Sequence, residues 1–375
     1  LLRTGRALLQ AGHQPEIFCI SGSDETISHA GIAVNRVHPM APVWIKMIDR
    51  LTAGKLHRPL SCLSQALSVR RRIYTAHNQN PFDIIQAASY RAIGLFSPRK
   101  VPLVIRISSF EPQWRRALNI PCTLSQKATE QLELLTVLRA TAAYAPSTRL
   151  ANEISQILKK KIDVIRPPFT TEVESRDRRF FETEFRGTDY LLFFGTISPL
   201  KGGLTIAEVL PSILKNHPEL HVVFIGKSQN YGDRPLIGHI FQKAGPYKKR
   251  VRHFSPVPHS ELYPVIQNAR GVLLPSIADN FPNTCMEAMA LNQIVIGTVG
   301  SSMEELITDG ENGFLCRPGN PQSLLETIEK VMKLSETEEQ KIKRNAGQRI
   351  KALAPELTIP PLINYYKEAI RKSRH

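Results

Sequence analysis

The sequence predicts an α/β protein of two domains, each a parallel sheet wrapped by helices, and three observations carry that expectation. A chain of 375 residues with 42% hydrophobic content exceeds one ordinary core and suffices for two, at roughly 100–200 residues per domain. Short β-rich runs alternate with helical patterns along both halves, as sheets built from βαβ units require. Several runs end in glycine or proline followed by polar residues, as in Phe194-Gly195, Ile225-Gly226 and Leu274-Pro275-Ser276. Open parallel sheets bind ligands beyond the carboxyl ends of their strands, so such junctions are where chemistry is expected.

The chain opens inside an amphipathic helical pattern carrying Leu1, Leu2, Leu8 and Leu9, with no strand before it, so a natural N-terminus is expected to be missing. Strands are expected at 16–20, 83–86, 103–107 and 142–145 in the first half. The second half is expected to hold strands at 191–194, 221–225, 251–254, 271–274, 293–296 and 314–316. Residues 166–185, proline-rich at their start and charged thereafter, read as a linker, which divides the chain into domains 1–170 and 171–356. A break at 353–361, containing Pro360-Pro361, precedes a last helical pattern over 362–371.

Five cysteines, Cys19, Cys62, Cys122, Cys285 and Cys316, stand singly with no C-x-x-C pair. That pattern argues against a disulfide framework or a cysteine zinc site and for a reducing cytoplasmic compartment. No apolar run reaches the roughly 20 residues needed to span a bilayer, and no signal peptide is evident. The net charge of +16 is uneven: residues 1–170 hold 23 Lys/Arg against 10 Asp/Glu, or +13 of the total. Basic surface of that size points to an anionic partner, with peripheral docking on an anionic membrane surface the expected case. Nucleic acid is argued against, because the aromatic residues of this half are few and are not interleaved with the basic ones.

Three stretches carry candidate chemistry. In 275–291, PSIADNFPNTCMEAMAL, a strand ends, a polar turn carries Asp279 and Phe281, and a helix is expected to begin with Pro282 in its first turn. The amides of Asn283 and Thr284 would then face the crevice, a suitable seat for a diphosphate. Glu287 lies inside that helix among small and apolar neighbours, where a carboxylate needs donors such as ribose hydroxyls. Taken alone, a glutamate so placed more often complements the helix dipole or pairs with a nearby base. In 191–203, LLFFGTISPLKGG, a strand runs into a turn at Gly195 and Thr196, with Lys201 ahead of Gly202-Gly203. Such a lysine can meet phosphate charge as it develops, although a lone lysine is more often solvated surface. In 296–313, IGTVGSSMEELITDGENG, a strand enters a turn at Gly300 and a short helix with Glu304 and Glu305; this is either a ligand approach or an ordinary tight turn.

In this order the three stretches resemble the C-terminal half of the retaining glycosyltransferases of family four, glycosyl transferases group 1. The resemblance covers about 190–332 and extends to the first half in outline. It implies the GT-B fold, two Rossmann-like domains facing across a cleft, with 362–375 packing back on an acceptor-side first domain that lacks its first strand. Two acidic residues with seven between them bracket the turn in that family, the first on donor-sugar hydroxyls and the second on the ribose, and Asp279 and Glu287 have that spacing. A lysine six residues after the turn glycine is matched by Lys201. The resemblance thus implies catalytic roles for Lys201, Asp279 and Glu287, and a donor site of Gly195, Thr196, Lys201, Phe281, Pro282, Asn283, Thr284 and Glu287. Its implied partners are a nucleotide-sugar donor, UDP- or GDP-linked, and a glycan or lipid-linked acceptor in cell-surface polysaccharide synthesis. No metal or other cofactor is expected, and the chain has no Asp-x-Asp element.

The chain departs from the family pattern at three positions. Thr196 replaces an arginine, Asp279 a glutamate, and Ser108, beside Arg106, a histidine. These departures keep a degenerate nucleotide-sugar-binding scaffold as an alternative to the enzyme. A nucleotide-sugar epimerase, which can share the architecture, is not expected to carry the acidic pair beside the strand-end lysine.

Overall fold

The computed structural model describes residues 2–171 and 176–374. Leu1 and residues 172–175 of the expected linker lie outside the described residues. Two compact units make up the chain: one of Leu1–Arg115, Asn119–Pro168 and Ala354–His375, the other of Phe169–Leu353 with Arg116–Leu118.

The second unit is built on a six-stranded sheet whose strands all run parallel. Across the sheet the strands are Val251–Phe254, Leu220–Ile225, Asp189–Phe194, Gly271–Leu273, Val295–Thr298 and Phe314–Cys316. In chain order this is 3-2-1-4-5-6, the doubly wound arrangement. Asp189–Phe194 is an unbroken apolar run after its first residue because helices cover both faces. Its side chains alternate between two cores. Tyr190, Leu192 and Phe194 pack with residues of the helices His259–Asn268 and Asn283–Ala290, whereas Leu191 and Phe193 pack with those of Gly203–Asn216, Leu236–Lys243 and Pro321–Met332.

Part of the expected linker is core. Arg179–Glu184 is helical, and Phe181, Phe185 and Phe169 are buried in the second unit, where Phe185 stacks against Tyr190. The charged residues between these aromatics mask an amphipathic turn. The strand expected at 293–296 is displaced to Val295–Thr298, because the Gln293 amide is fully buried and donates to the carbonyls of Ile266 and Ala269, at 2.9 and 2.7 Å, closing the end of helix His259–Asn268.

The first unit carries a four-stranded parallel sheet in the order Ile85–Ala88, Leu103–Arg106, Ala142–Ala145, Asp163–Val164. A separate three-stranded sheet pairs Glu16–Ile20 in parallel with Ile32–Val37, which pairs antiparallel with Glu25–His29. The hairpin and the two-residue strand are absent from the sequence reading. The strand expected at 83–86 begins two residues later, at Ile85–Ala88.

The expected break at 353–361 is helical, since one helix spans Pro355–Lys372. Pro360 and Pro361 face solvent on it, so the carbonyls they leave without a donor, those of exposed Glu356 and Leu357, are open to water. Thr358, Ile359 and Leu362 are buried on the opposite side. Within the first unit Tyr365 donates to the Ala143 carbonyl at 2.8 Å, and Tyr366 donates to Gln86 Oε1 at 2.5 Å.

One buried acid of this unit gives a pH-dependent prediction. Glu133, on helix Leu124–Arg139, accepts a hydrogen bond from the Arg91 amide at 2.7 Å, and burial nonetheless pushes its carboxyl from 4.5 up to about 7. Between those values the native chain holds a proton that the unfolded chain has released. This group's contribution to stability is therefore expected to fall as pH rises through that window, by about 3 kcal/mol, and to be flat above it. Thermal melts of Glu133→Gln across the window should lack the slope. Parallel curves for the two proteins would refute the assignment.

Candidate functional site

In a 3-2-1-4-5-6 sheet the chain reverses its winding between strands 1 and 4, and the loops leaving these two strands diverge to open a crevice. Here those loops follow Asp189–Phe194 and Gly271–Leu273, so topology alone brings the Gly195–Lys201 turn to the Asp279 turn.

Glycine permits the approach. Gly202 has φ +81, and a Cβ there would lie 2.1 Å from the Pro275 carbonyl oxygen. Gly226, at φ +148, would place a Cβ 1.9 Å from the Gly195 carbonyl oxygen. The Gly195 amide bonds the Ile225 carbonyl at 2.9 Å, and the Ile277 amide bonds the Leu200 carbonyl at 2.8 Å, joining the two loops. Lys201 is therefore set on a fixed turn immediately before helix Gly203–Asn216, while Thr196 is exposed on the first part of that turn.

Lys201 Nζ meets Asp279 Oδ2 at 2.6 Å. The lysine side chain is 34% exposed and the aspartate 10%. Ser276 Oγ donates to the same carboxylate oxygen at 3.1 Å, and the Asn280 amide donates to Oδ1 at 2.9 Å. The carboxylate thus has three donors and fixes the ammonium in the crevice.

The stretch after Val295–Thr298 acts as a brace for this turn. Phe281 is buried with φ +56, a strained conformation for a side-chain-bearing residue; its amide donates to Ser302 Oγ, which in turn donates to the Asp279 carbonyl at 3.1 Å. Thr298 Oγ1 donates to the Ser276 carbonyl at 2.8 Å. Gly300, at φ +66, has open space around it.

The helix spans Asn283–Ala290, and Pro282 stands before it as the N-cap, with φ −68 and ψ 130, instead of inside its first turn as the sequence suggested. An extended ψ at Pro282 lets the chain turn out of the strained Phe281. No side chain caps this end, so the first amides remain directed outward with the partial positive charge of the helix. Asn283 is exposed there, and Thr284 Cγ2 would lie 3.3 Å from a Cβ placed at Gly195. Glu287 is buried on the inner side of the same helix, with His259 Nε2 at 3.7 Å from Oε1 and the His259 side chain 57% exposed. The nearby base of the bland sequence reading therefore exists. At 6% exposure, on a helix whose Cys285, Met286, Ala288 and Met289 are core residues, Glu287 is more enclosed than a simple crevice position implies.

Ser276, Ser302 and His259 are the site residues that motif reading missed. The first two lie within the quoted stretches but resemble ordinary turn serines, and His259 is distant in sequence with no local signature. Arg106 and Ser108 lie in the first unit, at and just beyond the end of strand Leu103–Arg106.

Residues 175–349 match the family described as Glycosyl transferases group 1. Over 180 residues the chain is 28% identical to spore coat protein SA of Bacillus subtilis (strain 168), covering 46% of this chain and 47% of that one. It is 25% identical over 186 residues to the D-inositol 3-phosphate glycosyltransferase of Corynebacterium glutamicum (strain R), covering 49% of this chain and 44% of that one. The chain thus spans about half the length of the curated relatives it matches. Among solved structures it is similar to sucrose-phosphate synthase from Thermosynechococcus elongatus, with TM-score 0.76 at 15% identity, covering 98% of this chain and 91% of that one. It is similar also to Anabaena Alr3699/HepE in complex with UDP-glucose, with TM-score 0.69 at 15% identity, covering 94% and 99%. The chain has the GT-B fold of these proteins, and its residues 175–349 belong to the glycosyl transferases group 1 family.

Proposed function

We propose that this protein is a retaining glycosyltransferase that moves a sugar from a UDP- or GDP-sugar to a hydroxyl of a glycan or lipid-linked acceptor in cell-surface polysaccharide synthesis. The observation that carries the reading is the pairing of Lys201, held on a glycine-dependent turn, with Asp279 in the turn that leads into an uncapped helix end, at the switch point of a doubly wound sheet. Both features suit a diphosphate, the chemistry of the UDP-glucose bound by Anabaena Alr3699/HepE.

In this reading the sugar C1–O bond to the diphosphate breaks as the acceptor oxygen bonds C1 on the same face, and the acceptor proton passes to the departing phosphate. Lys201 and the amides near Asn283 and Thr284 stabilise the charge that gathers on the leaving group. Gly195 and Thr196 border the diphosphate. Asp279 positions Lys201 and offers its remaining lone pairs to a donor-sugar hydroxyl. Glu287 accepts from the ribose, behind the turn formed by Phe281 and Pro282. The basic first half brings the enzyme to the anionic surface at which such acceptors are held.

A scaffold without turnover is favoured by one observation, the neutral Thr196 beside a lysine already paired with Asp279. Release of labelled sugar from UDP- or GDP-sugars separates the two readings. Because fixed protein groups meet the leaving-group charge, transfer is expected to proceed unchanged in chelator. Nucleotide binding with no release in any donor would establish the scaffold, and activity restored by magnesium or manganese after chelation would overturn the metal-independent mechanism.

A further inference from the structure

A groove of about 1280 Å³ opens in the first unit, lined by helices His57–Gln79 and Leu124–Arg139 and by residues 95–100. Leu63, Leu95, Phe96, Leu132, Leu135 and Leu138 give it an apolar floor. Leu132, Leu135 and Leu138 recur every three residues on one helix face, and the last two are 50% and 49% exposed to water. Above that floor stand Arg70, Arg99, Lys100 and Arg139, and among the described residues no acidic side chain lines the groove. Arg139 is braced by donating to the Ser97 carbonyl at 2.9 Å, and Arg70 lies over the Tyr74 ring at 5.3 Å. Burial, with the like charges of Arg99 and Arg70, lowers the Arg139 pKa.

The groove is separate from the crevice where this sheet would take a ligand. Residues 97–101 lead into strand Leu103–Arg106, and Arg139–Thr141 into Ala142–Ala145, so the groove sits at the amino ends of the strands.

We propose that this groove seats an anionic phospholipid at a bilayer surface, the phosphate on the arginine rim and an acyl segment on the leucine floor. A soluble phosphorylated metabolite would satisfy the rim and leave the floor wet. A second copy would satisfy the floor but bring two uncompensated basic rims together on chains of net charge +16. The proposal rests on the first half being surface-facing and is independent of sugar transfer.

Sedimentation of the full chain with phosphatidylcholine vesicles, with and without phosphatidylglycerol, tests it. Binding is expected only with phosphatidylglycerol, to weaken at least about tenfold in Arg99→Glu/Arg139→Glu, and to fall also in Leu135→Ser/Leu138→Ser. Monomeric dihexanoyl-phosphatidylglycerol should compete, and inorganic phosphate should not. Arg139→Glu also removes the bond to the Ser97 carbonyl, so thermal melts check that each variant stays folded at the assay temperature, and UDP binding in the second unit serves as a separate readout of the donor site. Vesicle binding unaffected by either double variant overturns the proposal. Competition by inorganic phosphate as effective as by the short lipid would assign the groove to a soluble anion, and a dimer abolished by the leucine changes would assign it to a second copy.

Discussion

Lys201→Ala is expected to lower kcat about 10²- to 10³-fold while weakening donor binding by less than about tenfold, because a charge met mainly in the transition state acts on rate. The geometry sharpens this. Lys201 Nζ is locked at 2.6 Å on Asp279, so its position is set before the substrate arrives and costs no reorganisation during the reaction. Removing it leaves the Asp279 carboxylate with the Ser276 hydroxyl and the Asn280 amide as donors, which limits the structural damage. Single-turnover rates and calorimetric nucleoside diphosphate affinity, measured on the same folded variant, separate the two effects. A variant that loses affinity and turnover equally would make Lys201 a simple donor contact. A variant that loses only melting temperature would make it the counter-ion of Asp279.

Glu287→Ala is expected to weaken both the nucleotide-sugar and the free nucleoside diphosphate about ten- to hundredfold, since a buried charge-assisted hydrogen bond is worth about 1.5–3 kcal/mol and the ribose does not react. His259, 3.7 Å away, supplies the competing account, in which Glu287 is a structural partner of a base. His259 is more than half exposed and the contact is long, so it is a weak counter-charge for the carboxylate. Unchanged diphosphate affinity in a folded Glu287→Ala variant, with a lowered melting temperature, would establish the structural account and remove the ribose contact.

Legibility differed between the halves for a physical reason. In the second unit the strands are buried on both faces, so Asp189–Phe194 and its neighbours read as apolar runs closed by glycine or proline. In the first unit Glu25–His29 is largely exposed on an edge and lacks any such run, so its hairpin was invisible. The prolines at 360 and 361 spoke for a break, and burial of Thr358, Ile359 and Leu362 overrode them.

The candidate site divides along the same line. Sequence by itself determined the residue types at the strand ends, the seven-residue interval between Asp279 and Glu287, and the glycines without which two loops could not approach. Such features are local, written in which side chains a strand, turn or helix start can accept. Only the tertiary structure decided that Lys201 is paired with Asp279, that Ser276 and Ser302 hold the turn, that Pro282 caps the helix from outside, and that His259 lies beside Glu287. Lys201 and Ser302 reach Asp279 from other strand-end loops, Ser276 bonds within one folded turn, and His259 and Glu287 stand on two different helices. The contacts of Lys201 and Ser302 exist because the sheet order places strands 1, 4 and 5 side by side, an adjacency that no interval along the chain encodes.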